Sequence, residues 1–243
     1  MRKNILILLL IFIFGMAGGI FSDQILWPYF VVRPLFDKYN LDQPPIYVTE
    51  KKETIVRENT ALEEAIEKVS KTIVGVRAKT TKGSGLVVTN DGLVVTLSSL
   101  IPIGQTFGFY LEEESKQFQV LKRDPKTGLA LVKLDADRLL AADFRNLEDL
   151  NLGERVFMVS YYHGQRGLTK TVSQGIVKFI ARSDISGSVI SKEIIETDIV
   201  KAANVQGSPV FDITGRLIGI AADSSNSLIE VIPVSQIKKL IGS

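Results

Sequence analysis

The hydrophobic and polar positions divide the chain into an apolar N-terminal run, a polar stretch, and a long series of short apolar segments. Residues 5–21 form an uninterrupted run without charge, whereas residues 33–58 are rich in proline and mixed charge. From residue 73 onward, β-branched and aromatic residues occur in short runs, with turn signals such as Asn90-Asp91-Gly92 between them. This pattern predicts a mainly β domain that follows an apolar N-terminal helix.

The short runs fall into two sets of predicted strands, and each set is large enough for one antiparallel barrel. The first set covers residues 73–77, 85–89, 93–97, 107–111, 118–121 and 129–134. The second set covers residues 155–160, 171–181, 189–197, 209–213, 216–221 and 228–232. We therefore expect an all-β domain of two six-stranded antiparallel barrels.

Helical periodicity occurs at both ends of this domain. Apolar residues from Ala61 to Val69 recur at spacings of three and four, with Asn59 or Thr60 as a candidate cap. A closing helix is predicted over residues 234–241, with Ser235 as its cap. The expected domain limits are therefore residues 59–243.

The N-terminal run is predicted to anchor the chain in a membrane over residues 1–25. Arg2 and Lys3 precede the run, which favours a cytoplasmic N-terminus and an extracytoplasmic domain. The alternative is a cleaved signal peptide with Gly15-Met16-Ala17 as the cleavage site. Both interpretations export the domain. Residues 26–58 would form an extended juxtamembrane spacer stiffened by proline.

Composition excludes several classes of function. The chain has 243 residues, a net charge of +2 and no cysteine, so disulfides and zinc-thiolate sites are excluded. The near-balanced charge gives no reason to expect a nucleic-acid partner. No cofactor and no metal site are predicted, and Glu112-Glu113-Glu114 is interpreted as a solvated hairpin tip.

Three segments carry the candidate chemistry. Residues 197–210 run T-D-I-V-K-A-A-N-V-Q-G-S-P-V, residues 83–100 begin with G-S-G and end with T-L-S-S-L, and residues 124–133 run D-P-K-T-G-L-A-L-V-K. In order and spacing these segments resemble the nucleophile, base and orienting-acid blocks of HtrA/DegP-type trypsin-like serine proteases. The resemblance extends from Ala61 to the C-terminus, and it implies a trypsin-like double barrel.

The resemblance also implies that the catalytic triad has been lost. The nucleophile position is occupied by Gln206, the base position by Ser99, and the orienting-acid position by Gly128. These three roles act as a unit, so catalysis is not expected when all three are replaced. Ser208 and Ser98 offer nearby hydroxyls, but the single histidine, His163, lies in a predicted loop and is interpreted as a surface residue.

Two further positions follow from the resemblance. Asn204 replaces the glycine that shapes the oxyanion loop, so this loop is not expected to keep a catalytic shape. Val200 would form the floor of the specificity pocket, which would then prefer an apolar side chain. Because the sequence ends at Ser243, no PDZ domain is expected after the closing helix.

The sequence thus predicts a membrane-anchored, catalytically inactive protease homologue that binds a peptide or protein in the cleft between its barrels. A homo-oligomer is compatible with this prediction. Two alternatives remain open: an endopeptidase of the HtrA/DegP type with residual or unconventional activity, and a structural component whose cleft is filled by its own side chains.

Overall fold

The computed structural model of the chain describes residues 2–27, 29–30, 49–164, 167–181, 193–222 and 227–242. The chain divides into two compact units, residues 1–54 and residues 55–243. The first unit contains helix α1 (Arg2–Phe21), which continues as a π-helical segment over Ser22–Leu26. Residues 3–26 are long and apolar enough to cross a membrane, and a signal sequence would meet the same criterion.

Helix α2 extends from Thr49 to Ser70, which is ten residues farther toward the N-terminus than the apolar pattern predicts. Residues 49–58 are therefore helical, and neither Asn59 nor Thr60 caps the helix. These residues are polar, so they lack the apolar stripe from which a helix is recognised. The rest of the predicted spacer, residues 31–48, lies outside the described residues.

The first half of the second unit is a seven-stranded antiparallel sheet rather than a closed six-stranded barrel. Its strand order is β5-β4-β1-β2-β3-β7-β6. The strands are β1 (Ile73–Ala78), β2 (Lys82–Val87), β3 (Leu93–Leu97), β4 (Phe107–Leu111), β5 (Glu114–Lys116), β6 (Phe118–Arg123) and β7 (Leu129–Leu134). Strand β5 was not predicted. It forms because Glu112 and Glu113 both adopt positive φ, which turns the chain back onto β4 within two residues.

The second half is a closed barrel of six strands, as predicted, in the order β10-β13-β12-β11-β8-β9. Its strands are β8 (Arg155–Gly164), β9 (Gly167–Ala181), β10 (Ile194–Val200), β11 (Pro209–Asp212), β12 (Leu217–Ala221) and β13 (Leu228–Pro233). Residues 189–192 of the predicted third strand lie outside the described residues. The double-barrel architecture is therefore confirmed, with the first barrel open.

Helix α3 (Val234–Ile241) closes the fold at the predicted residues, but Ser235 does not cap it. The cap position is Pro233, and the Ser235 hydroxyl donates instead to the carboxylate of Glu193. The apolar core has two parts. The larger cluster runs from the first sheet across the seam to α3, and the smaller fills the closed barrel.

Candidate functional site

Ser99 lies in a single 3-10 turn, Ser98–Leu100, directly after β3. Its side chain is exposed, whereas Leu100 is fully buried. The backbone N–H of Ser98 donates to the carbonyl of Gly128 at 2.8 Å, and the Ser98 hydroxyl donates to the carbonyl of Leu129 at 2.9 Å. These two hydrogen bonds join the turn to the loop that carries the orienting-acid position.

Gly128 ends a tight turn organised by the carboxylate of Asp124. That carboxylate accepts hydrogen bonds from the Thr127 hydroxyl at 2.8 Å and from the backbone N–H of Lys126 at 2.9 Å. The Thr127 bond, followed by the Lys126 bond, holds the pKa of Asp124 below its ordinary value. Gly128 has φ of 77°, and a Cβ placed on it would meet nothing within 4 Å. The turn thus has room for a side chain that this chain lacks.

The loop that carries Gln206 is fixed by its main chain. The carbonyl of Gln206 accepts from the backbone N–H of Ser84 at 2.9 Å, and the N–H of Gly207 donates to Ala221 at 2.9 Å. Gly207 has φ of 74°, and a Cβ there would lie 2.2 Å from the carbonyl oxygen of Ser84. Only glycine fits both the conformation and the space at this position.

Leu100 links this loop to the turn that contains Ser99. Its side chain lies 2.8 Å from an ideal Cβ built on Gly207 and 2.7 Å from one built on Gly83. The turn after β3 therefore touches the Gly128 loop through Ser98 and the Gln206 loop through Leu100. The structure in this way brings together the three segments that carry Ser99, Gly128 and Gln206.

Asn204, at the position of the oxyanion-loop glycine, adopts a left-handed backbone conformation. Its φ is 64°, a region that asparagine enters more readily than most residues. Among the described residues, the backbone N–H groups of Asn204 and Gln206 donate to no acceptor.

The hydroxyls considered as replacement nucleophiles are engaged elsewhere. Ser208 is fully buried, and its Oγ donates to Ser84 Oγ at 3.1 Å. Ser84 Oγ also accepts from the backbone N–H of Tyr161 at 2.9 Å. The Ser98 hydroxyl is bonded to the carbonyl of Leu129. His163 pairs with Leu168 at the end of β8, and the placement of its side chain lies outside the described part of the chain.

Val200 does not fit the role of a pocket floor. Its side chain is 68% exposed, whereas the floor of a pocket is enclosed by neighbouring walls. Successive side chains of a strand point to opposite faces, and the inward position here belongs to the buried Ile199. An apolar preference therefore cannot be derived from Val200.

The family-like pair Thr197-Asp198 has a structural role in this chain. The Thr197 hydroxyl donates to the carbonyl of Ile229 at 3.3 Å, and Asp198 Oδ1 accepts from the backbone N–H of Ile176 at 2.6 Å. The pair therefore ties β10 to β13 and to β9. The pair thus has a structural role that does not depend on catalysis.

Ser84 is a site residue whose role the sequence analysis missed. Its backbone N–H donates to the carbonyl of Gln206, and its Oγ accepts from the Ser208 hydroxyl and from the backbone N–H of Tyr161. The residue is completely buried. The signal was present in Gly83-Ser84-Gly85, because glycines within a strand often mark the close approach of another backbone.

Comparisons with known proteins agree with this arrangement. Residues 83–220 match the family described as trypsin-like peptidase domain. A protein named "Probable periplasmic serine endoprotease DegP-like" from Bartonella henselae is 29% identical over 140 residues, which cover 57% of this chain and 27% of that protein. The match thus spans about a quarter of the length of that relative.

Two solved structures share the fold. "HtrA-type protease AlgW with decapeptide" superposes with a TM-score of 0.63 at 17% identity, covering 75% of this chain and 66% of that one. "Crystal structure of Deg5" gives a TM-score of 0.63 at 23% identity, covering 75% and 92% of the two chains.

Proposed function

Because this chain belongs to the trypsin-like peptidase domain family, we propose that it is a membrane-anchored member that binds peptides outside the cytoplasm and does not hydrolyse them. The observation that carries the proposal is the loop at Gln206. Asn204 keeps a left-handed φ in this loop, which supports a retained loop shape, while residue 206 has no hydroxyl.

Peptide hydrolysis in this family requires an activated hydroxyl beside a histidine base. The three positions hold Gln206, Ser99 and Gly128, none of which can serve as base or orienting acid. The buried Ser208 is inaccessible to a substrate, and its proton is directed to Ser84. Inactivity therefore follows from both the identity and the burial of the side chains.

Peptide binding requires neither a nucleophile nor a base, because extended peptides are held largely by main-chain hydrogen bonds. The N–H groups of Asn204 and Gln206 can donate to a peptide carbonyl or to a terminal carboxylate. A solved structure that shares the fold contains a decapeptide, which supports a peptide as the class of ligand. The partner is accordingly an extended peptide or an exposed segment of a protein.

The anchor and the location rest on α1 and on the relatives. A 24-residue span of mean hydropathy 2.7 follows the positive N-terminal residues, and the Bartonella relative is named periplasmic. An anchor with a cytoplasmic N-terminus holds the domain at the outer face of the membrane.

Inactivity is tested with the full chain in detergent micelles, incubated with an unfolded protein substrate and with a serine-directed fluorophosphonate. We expect neither cleavage nor labelling. Covalent labelling of Ser208 or Ser98 that is lost on His163→Ala would contradict the proposal and would support the alternative of an unconventional endopeptidase.

Binding is tested by amide NMR of the full chain with a soluble decapeptide rich in Val and Ser. The signals of Asn204 and Gln206 should move on titration. The amides of Gly207 and Ser208 are internal controls, because they already donate to Ala221 and Val205 and should move less. Saturating peptide without movement at Asn204 and Gln206 would exclude the loop as the binding site.

A further inference from the structure

A second cleft lies between the loop after β6 and helix α3, and it contains none of the residues at the triad positions. Its volume is about 610 Å3. One wall is formed by residues 122–127 of the first sheet, and the other by Ile232, Gln236, Lys239 and Leu240 of the second half. The cleft is therefore assembled from both halves of the domain.

Four cations surround this cleft: Lys122, Arg123, Lys126 and Lys239. Lys122 Nζ donates to the carbonyl of Leu240 at 3.3 Å, and an Arg123 terminal nitrogen donates to the carbonyl of Ile101 at 2.5 Å. Among the described residues, none of the four lies within ion-pair distance of a carboxylate. Lys126 and Lys239 are also exposed, so their charges are available to an anionic ligand.

Two carboxylates also line the cleft, but both are already engaged. Asp124 accepts from Thr127 and from the backbone of Lys126, which fixes its turn. Glu193 accepts from Ser235 and, at 3.1 Å, from the side-chain amide of Gln236. The donors to both groups are neutral, so the carboxylates keep their charge, and the lining carries four positive and two negative side chains, a net charge of +2.

The cleft is also partly apolar. Ile232 and Leu240 are buried at its base, and Pro125 is exposed on its rim. The hydroxyl of Thr127 and the amide of Gln236 add neutral polar groups to the lining. A sulfated polysaccharide would leave the apolar groups unused, whereas a peptide with acidic and apolar residues would satisfy both kinds of contact.

We propose that this cleft binds an acidic peptide segment of a partner protein, through Lys122, Arg123, Lys126 and Lys239. Carboxylates of the segment meet the four cations, and its apolar side chains contact Pro125 and Leu240. The site is separate from the loop at Gln206, so the proposal does not depend on the proposed function.

The test uses the full chain in detergent micelles and a fluorescein-labelled peptide that alternates Glu and Leu, with binding followed by anisotropy. Lys126→Glu combined with Lys239→Glu should weaken binding about tenfold at low salt, since two exposed ion pairs are lost and replaced by repulsion. Wild-type binding should also weaken as salt is raised.

The matched control is Lys79→Glu combined with Lys178→Glu, which changes net charge equally at exposed lysines away from the cleft. Equal weakening by both double variants would overturn the proposal, because only overall charge would then matter. The milder double variant Lys126→Gln with Lys239→Gln is used if charge reversal disturbs folding. Unchanged affinity of this variant for the peptide would also overturn the proposal.

Two altered probes separate an acidic peptide from other anions. A peptide with Gln in place of Glu should not bind, and one with Ser in place of Leu should bind more weakly. If heparin or vesicles of anionic lipid bind at these lysines while the Glu/Leu peptide does not, the assignment to an acidic peptide is wrong.

Discussion

Gly207 and Gly128 have nearly the same backbone conformation but opposite surroundings. Their φ values are 74° and 77°, so both occupy the left-handed region. A Cβ on Gly207 would overlap the carbonyl of Ser84, whereas one on Gly128 would meet open space. Comparing substitutions at the two residues therefore separates the free-energy cost of a left-handed conformation from the cost of a steric overlap with the backbone.

Gly207→Ala should lower the free energy of unfolding by about 3 kcal/mol, because left-handed strain and a steric overlap with backbone add together. Gly128→Ala is the matched control and should cost only about 1 kcal/mol from strain alone. Chemical denaturation of the full chain in detergent, followed by near- and far-ultraviolet circular dichroism, measures both values. Equal losses would show that the contact with Ser84 is not rigid.

The motif frame assigned the three triad positions from the sequence, but it could not give the backbone conformation of the loop at residue 204. That shape depends on φ at Asn204, which asparagine adopts only in a suitable surrounding. The exposure of Val200 was missed for a related reason, because analogy placed it in a pocket while strand alternation turned it outward. The sequence gives the identity of a residue, but its backbone conformation and exposure depend on how the neighbouring segments pack.

The hairpin between β11 and β12 is held by one buried carboxylate. Asp212 Oδ1 accepts from the backbone N–H groups of Thr214 and Arg216 and from the Thr214 hydroxyl. Asp212 Oδ2 accepts from Arg216 and from the buried Arg145, which also pairs with Glu154. The hairpin is thereby fastened to the segment that connects the two halves.

Burial alone raises the pKa of Asp212, but the hydrogen bonds from Thr214 and Arg216 outweigh it and hold the pKa below its ordinary value. A carboxyl with a lowered pKa in the folded state contributes its stabilisation fully above the unfolded value of about 4. That contribution is lost as the pH falls through the lower, folded value. The barrel should therefore be sensitive to acid at this hairpin.

Asp212→Asn should lower the free energy of unfolding at pH 7 by about 3 kcal/mol, because Arg145 is left buried with less compensation. The variant should also lose less additional stability than the wild type when the pH is lowered below about 4. The control is Asp143→Asn, whose ion pair with Lys68 is exposed and should contribute under about 1 kcal/mol. Urea titrations across pH measure the three proteins; parallel acid profiles would contradict the role of Asp212.

Short apolar elements next to clear turn or proline signals were predicted to the residue, including β3, β4, β7 and α3. The elements that were missed lie where the pattern of apolar and polar residues is weak. Strand β5 has only three residues and is highly polar, and the first ten residues of α2 have no apolar stripe. The cationic cleft could not be predicted, because Lys126 and Lys239 meet only through the packing of α3 against the first sheet.

At the scale of the whole molecule, the absence of cysteine provides a clean background for measuring topology. A single cysteine at Lys79→Cys should react with a membrane-impermeant maleimide in intact spheroplasts, because the domain is proposed to face outward. Asn4→Cys should react only after permeabilisation, since Arg2 and Lys3 favour a cytoplasmic N-terminus.

The reverse labelling pattern would contradict the proposed orientation. Alkaline carbonate washing distinguishes the anchor from a cleaved leader. The intact chain should stay in the membrane pellet, whereas a soluble chain that begins after Ala17 would support the signal-peptide alternative.

The close approach of Gly83 and Gly207 has a consequence for how such a protein changes over generations. The loop is held by main-chain contacts, so substitution at positions 99, 128 and 206 is compatible with the fold. Substitution at 83 or 207 instead places a side chain against the backbone of a neighbouring strand or loop and destabilises the fold. The positions of the family's catalytic residues therefore tolerate substitution, whereas the two glycines do not. Substitutions at the three triad positions can therefore accumulate one after another in a lineage while the fold is retained.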